Sequence, residues 1–199
     1  KDRKYIILNQ SSKIGEDTYN QFKNLIKQRS EGKPIAYLIG KKDFWKYKFQ
    51  INEYVLIPRP DTEIIVEQVL KITKFKSSLR ILDIGIGSGC ILLSILREKK
   101  DFRGIGIDIS KKSVEISKLN ALNLGLLNRV KIFKTNVDNF NYGKYDLIIS
   151  NPPYIKKLDL KYLDKDVINF EPKLALSGGL DGTSKISKVI NKSSELIKK

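Results

Sequence analysis

The stretch "SNPPY" (150–154) sets an asparagine, two prolines and a tyrosine directly behind the aliphatic run "YDLII". Residues of these types in this order can grip a flat amide or aryl amine. The side-chain carbonyl of Asn151 and the main-chain carbonyl of Pro152 are two acceptors for the two N–H bonds of such a group. Pro152 and Pro153 fix φ and hold those acceptors rigidly, while Tyr154 can stack on the planar group. A nitrogen held this way has its lone pair steered toward an electrophile, and the positive charge growing on it is stabilised. A proline-rich loop arising by chance would have no use for an asparagine at the end of a strand. No general base is needed, because the alkylated nitrogen sheds its proton readily afterwards. That suits a chain of 199 residues without a single histidine, the ordinary neutral-pH base and the commonest metal ligand. No metal is expected.

A second constellation is "LDIGIGSGC" (82–90). Glycines at 85, 87 and 89 let the backbone turn tightly and approach a ligand. A dinucleotide fingerprint reads G-x-G-x-x-G; here the third glycine comes one residue early and Asp83 precedes the first. D-x-G-x-G-x-G is the spacing typical of S-adenosylmethionine (SAM) binding, where no pyrophosphate has to be cradled. The candidate contacts are Asp83, Gly85, Ile86, Gly87, Ser88 and Gly89. Asp108, with Ile109 beside it, lies 23 residues after Gly85, where a carboxylate can accept hydrogen bonds from both ribose hydroxyls. It could instead cap the following helix, but Ser110 is better placed for that. Asp83 has two readings of equal weight: an acid approaching the methionine part of the cofactor, or a buried acid tied to backbone N–H groups.

These residues must be positioned by strands and helices. "LRILDI" (79–84), "GIGIDI" (104–109), "VKIF" (130–133) and "YDLIIS" (145–150) are short aliphatic runs, as strands buried on both faces must be. Helical segments at 89–98 and 111–124 separate the first three. The pattern predicts an α/β fold with a doubly wound, mostly parallel, Rossmann-like sheet. Upstream, Tyr19, Phe22, Leu25 and Ile26 fall on one face of a helix over 16–29. "FWKYKFQI" (44–51) alternates as a half-buried strand, with "YVLI" (54–57) as its partner and Asn52-Glu53 as the turn. Asp61 is the expected N-cap of a helix over 62–73. After 150 a loop and a helix over 183–199 are expected.

Composition sets outer bounds. The net charge of +16 comes from 31 Lys against seven Arg. Nucleic acid is therefore a candidate partner, but the lysines are scattered and lysine is a poor substitute for arginine in bidentate phosphate contacts. No apolar stretch is long enough to span a bilayer, no secretory signal is visible, and a lone cysteine suits a reducing compartment. The expected location is cytoplasmic, away from membranes.

With these motifs in order, the chain resembles the release-factor glutamine methyltransferases, the HemK/PrmC family within the class I SAM-dependent methyltransferases. The likeness runs through "GKPIAYLIGKKDFW" (32–45), "LIPRPDTE" (56–63), "ILDIGIGSGCI" (81–91), "GIDIS" (106–110), "SNPPYI" (150–155) and "FEPKLALSGGLDG" (170–182). Asn-Pro-Pro-Tyr by itself fixes only the reaction type; the flanking segments are more specific. The resemblance implies N5-methylation of a glutamine in a Gly-Gly-Gln loop of peptide-chain release factors. It places cofactor contacts on Gly85 through Gly89, Asp108 and Asn151, and the glutamine pocket on Asn151, Pro152, Pro153 and Tyr154. Arg59, Pro60 and Glu63 match a motif whose role is substrate-binding or structural. Where the family carries an acid followed by an aromatic beside the adenine, this chain has Asn136 and Val137.

The resemblance also implies a domain plan: residues 1–34 as the remnant of an N-terminal helical domain, 35–60 as a β-hairpin linker and 61–199 as the methyltransferase domain. The closing strands of the family's sheet are not found before the last residue, so a fragment of a longer protein is expected. Two other functions stand beside the first: a nucleic-acid amino-methyltransferase using the same pocket for adenine or guanine, and an inactive remnant.

Overall fold

The computed structural model describes residues 3–198. The chain opens with α1 (Arg3–Leu8), α2 (Glu16–Ser30) and α3 (Ile35–Ile39). The 3.6-residue spacing of Tyr19, Phe22, Leu25 and Ile26 does give a helix in α2, but all four side chains stay exposed. Periodicity sets the element, whereas burial needs a partner surface. Among the described residues α2 finds mainly the short α3.

The hairpin that follows turns elsewhere than its alternation suggests. β1 (Lys41–Phe44) pairs antiparallel with β2 (Tyr47–Gln50), so the turn falls at Trp45-Lys46 and not at Asn52-Glu53. A two-residue turn preserves the in-out period, which is why the eight residues read as one strand. Trp45 takes a positive φ of 57°, a conformation that costs a bulky residue about 1–3 kcal/mol. Two acids offset that cost. The Trp45 backbone N–H donates to Glu63 Oε1 at 2.7 Å, and its indole N–H donates to Glu98 Oε1 at 3.0 Å. Residues 54–57, expected as a strand, form a loop whose Val55 and Ile57 pack with Tyr37 and Ile51. A 3-10 turn over Pro60–Thr62 precedes α4 (Glu63–Ile72), and this moves the cap position from Asp61 to Thr62.

From here strand and helix alternate: β3 (Arg80–Ile84), α5 (Cys90–Glu98), β4 (Arg103–Asp108), α6 (Lys111–Asn123), β5 (Val130–Lys134) and β6 (Leu147–Ser150). Ser110 caps α6 as its position implies, accepting from the Ser113 N–H at 3.2 Å. The four strands form one parallel sheet in the order β5-β4-β3-β6. Alternate residues point to opposite faces, and both faces are covered. Ile81, Ile132 and Ile149 pack with α4, α5 and the hairpin's Phe44 and Phe49. Leu82, Ile84, Ile105 and Ile107 pack with Phe140, Tyr145 and Leu196.

After β6 come β7 (Ile155–Lys156), α7 (Lys165–Phe170), β8 (Ser177–Gly179) and α8 (Ser184–Leu196). The parallel β7–β8 pair was not foreseen, because strands this short carry no periodicity. α8 brings Leu196 to the second face of the sheet. Past it, Lys198 N–H donates to Tyr145 O at 2.9 Å. Among the described residues, β6 has β3 on one side and only this parallel bridge on the other.

Candidate active site

The sheet order reverses between β3 and β6, and in open α/β sheets ligands bind at the strand C-termini beside such a switch point. Ile84 and Ser150 are Cα partners across those strands, and Ser150 Oγ–H donates to Ile84 O at 2.7 Å. The glycine turn and the Asn-Pro-Pro-Tyr loop therefore leave the sheet side by side. A cavity of about 330 Å3 opens between them. Gly85, Ile86, Gly87, Ser88, Asp108 and Ile109 line one side, and Asn151, Pro152 and Pro153 another. Asn136, Val137 and Arg59, also singled out by the sequence, belong to the same lining. Asp83, Gly89, Glu63 and Tyr154 lie outside this lining.

The turn is built for close approach. Gly85, Gly87 and Gly89 all take positive φ, and a Cβ placed on Gly85 would meet nothing within 4 Å, so the space in front of it is open. The N–H groups of Gly85 and Ile86 both donate to Ile107 O at 2.9 Å, which pins the turn to β4. Asp108 Oδ2 accepts from Gly87 N–H at 3.0 Å and Oδ1 from Ser110 N–H at 2.9 Å. Burial pushes this carboxyl up, and the backbone donors of Ser110 and Gly87 pull it back. Each oxygen keeps a free lone pair, so the group can still accept from two hydroxyls. A volume of this size suits a small molecule, and the apolar Ile86, Ile109 and Val137 beside one carboxylate fit a nucleoside with its ribose at Asp108.

Asn120 supports the turn from below and gave no signal in the sequence. Its amide donates to Ser88 O at 2.8 Å and to Gln50 O at 2.9 Å, and its Oδ1 accepts from Gln50 N–H at 2.7 Å. One buried side chain thus ties the hairpin to the glycine turn.

Of its two readings, Asp83 takes the buried one, without the backbone hydrogen bonds expected to satisfy it. It points to the α5 side of the sheet, 1% exposed, and neither oxygen has a hydrogen-bond partner. Burial above all, and then the negative charge of Asp108, push its pKa up to about 7. The Leu92 backbone N–H opposes this without reaching hydrogen-bond geometry.

On the acceptor side, the carboxamide of the half-buried Asn151 takes no partner among the described residues, which leaves its oxygen available to a ligand. The loop is held from behind by the glycines of "LSGGLDG". A Cβ on Gly182 would come 2.5 Å from Tyr154 O, and one on Gly178 would come 2.8 Å from Tyr154 Cα. Ile155 N–H donates to Leu176 O at 3.1 Å. The Tyr154 ring, 65% exposed, stands outside the cavity wall.

Two sequence motifs meet at Arg59, in the cavity wall. Arg59 forms an ion pair with the buried Glu171, whose Oε2 also accepts from Ile57 N–H at 3.3 Å. Glu63, from the same "RPDTE" segment, is spent on the Trp45 N–H. Tyr54, Pro172, Leu174 and Lys185 are also part of the wall. They escaped the sequence reading because each sits in a loop or on a helix face with an ordinary pattern; the prolines around residues 58–60 and 172 were the available hint.

Residues 61–174 match the methyltransferase small domain family, and residues 1–40 match the PrmC N-terminal domain. The chain is 41% identical over 194 residues to a release factor glutamine methyltransferase of Buchnera aphidicola subsp. Schizaphis graminum, covering 96% of this chain and 69% of that protein. It is 37% identical over 201 residues to the one from Clostridium acetobutylicum, covering 100% of this chain and 70% of that protein. The hMettl16 catalytic domain, solved in complex with the MAT2A 3′UTR hairpin 1, shares the fold: TM-score 0.59, 17% identity, 74% of this chain and 57% of that one. With a methyltransferase domain over more than half its length and relatives at this identity, the chain belongs to the release factor glutamine methyltransferase family.

Proposed function

We propose that this protein methylates the side-chain nitrogen of a glutamine in the Gly-Gly-Gln loop of a peptide-chain release factor, with SAM as methyl donor. The observation that carries the reading is the unpartnered Asn151 carboxamide, one residue beyond the Ser150–Ile84 pairing and so beside the glycine turn. Membership of the release factor glutamine methyltransferase family supports the choice of substrate.

Asp108 would hold the ribose hydroxyls, Gly85–Ser88 the methionine end, and Asn136 and Val137 the adenine. The donor supplies a methyl group on a positively charged sulfur. The protein's own residues do the rest. Asn151 Oδ1 and the Pro152 carbonyl accept the two N–H bonds of the glutamine amide. An amide nitrogen is a poor nucleophile because its lone pair is delocalised, and two acceptors fix the amide plane so that the lone pair faces the donor. As positive charge grows on nitrogen both hydrogen bonds strengthen, so stabilisation is largest in the transition state. Tyr154, exposed next to the loop's prolines, would have to swing in to cover the planar group, and the proton then leaves to water.

The test incubates the protein with labelled SAM and either a release factor or total RNA and DNA. Label in the release factor alone is expected. Label in nucleic acid would favour adenine or guanine as the acceptor, and no label would mean an inactive remnant. Asn151→Ala should lower the rate by about 10²-fold without shifting the unfolding midpoint; an unchanged rate would refute the mechanism.

A further inference from the structure

At the opposite edge of the sheet the strands bring together arginines that lie 23 and 26 positions apart in the sequence. Arg80 and Arg103 are direct Cα partners, and Gly104 N–H donates to Arg129 O at 2.9 Å. The three stand in a row where β3, β4 and β5 begin, with neighbouring strands about 4.8 Å apart. With Lys131, Lys198 and Tyr142 they line a recess of about 520 Å3.

The recess is short of negative charge. Its one carboxylate, Asp146, is already engaged by Lys198 at 2.6 Å and by the Arg80 N–H at 2.7 Å. Arg103 and Lys131 have no ion-pair partner among the described residues. Arg129 spends one nitrogen on the carbonyls of Lys99, Lys100 and Phe102. Burial and the like charges of Arg97 and Arg103 press its pKa below the usual arginine value, against the opposing pull of Asp101. Three of only seven arginines meet here, while the 31 lysines are dispersed, and arginine is the residue suited to phosphate. An exposed aromatic lies alongside: the Arg80 guanidinium sits 5.4 Å from the Tyr142 ring centroid, and that ring is 5.7 Å from Phe133. Cations in a concave track beside exposed rings are what single-stranded nucleic acids use, phosphate on cation and base on ring.

We propose that this recess binds single-stranded RNA through its phosphates, on the edge of the sheet away from the methyl-transfer cavity. Ribose is favoured over deoxyribose because Ser78 and Asn128 also line the recess and can pair with 2′-hydroxyls. RNA here is a bound partner and not the methyl acceptor.

Fluorescence anisotropy with a labelled oligouridylate over a range of salt tests this. Wild-type affinity should fall as salt rises. R103Q/K131Q should bind roughly tenfold more weakly and flatten the log–log salt slope by about 1–2, close to one released counterion per lost phosphate contact. Both side chains are exposed, so the melting temperature and methyl transfer should stay at wild-type values, and the charge-keeping R103K/K131R should retain binding. Wild-type affinity in R103Q/K131Q would overturn the proposal. So would equal binding of the matching oligodeoxynucleotide.

Discussion

Arg59 and Glu171, 112 positions apart, clasp each other beside the cavity, whose wall includes Arg59. One comes from the segment before the methyltransferase core and the other from the segment after the acceptor loop. Glu171 is buried while Arg59 is half exposed, so removing the arginine strands a carboxylate with only the Ile57 N–H for company. A double-mutant cycle with Arg59→Ala and Glu171→Ala, followed by urea denaturation, should return a coupling of about 1–3 kcal/mol. Strictly additive losses would mean the pair is incidental.

Asn120 makes three hydrogen bonds with 1% of its surface exposed. Asn120→Ala leaves two carbonyls and an N–H unsatisfied, and each such loss costs about 1–3 kcal/mol. Summed with partial relaxation, about 3 kcal/mol of stability should disappear. Because the glycine turn loses its support, cofactor affinity should fall as well, measured by calorimetric titration with SAM.

Asp108→Ala removes the acceptor for two ribose hydroxyls and frees the Gly87 and Ser110 N–H groups. A hydrogen bond to a charged group is worth about 1.5–3 kcal/mol, so SAM should bind about 10–100-fold more weakly. A Kd within a factor of two of wild type would move the ribose elsewhere.

Asp83 makes stability depend on pH in an unusual direction. Its folded pKa of about 7 lies above the unfolded value of about 3.9. Between these values the unfolded chain gives up a proton that the folded chain keeps, so stability is greatest in acid, falls as pH rises from about 4 to about 7, and is flat beyond. Without histidine few other side chains titrate in that window. Urea midpoints of the wild type should drop between pH 5 and 7.5, whereas those of Asp83→Asn should stay level. Parallel profiles would show that Asp83 is ionised in the fold.

The parallel sheet could be read from the sequence because each of its strands is a short aliphatic run between helical stretches. The link between the glycine turn and Asn151 followed, since the strand order places both at one edge. The turn at Trp45-Lys46 could not be read: its stability comes from Glu63 and Glu98, which are distant in sequence. The same holds for Asn120 and the arginine row, where residues of common type acquire a role only when register brings their partners alongside. Asp83 had two open readings for a related reason. Its motif position suggests a ligand, but strand alternation turns it toward α5 and away from the cavity.

The pairing of Ile84 with Ser150 means that the gap between donor and acceptor is set by the hydrogen-bonded ladder and not by any side chain. Loop substitutions can change what enters without changing how far a methyl group must travel. A slip of β6 by a single step would carry Asn151 about 3.3 Å along the strand and invert every side chain behind it, so transfer should vanish abruptly instead of fading. Catalytic spacing in this protein is thus as durable as the sheet itself.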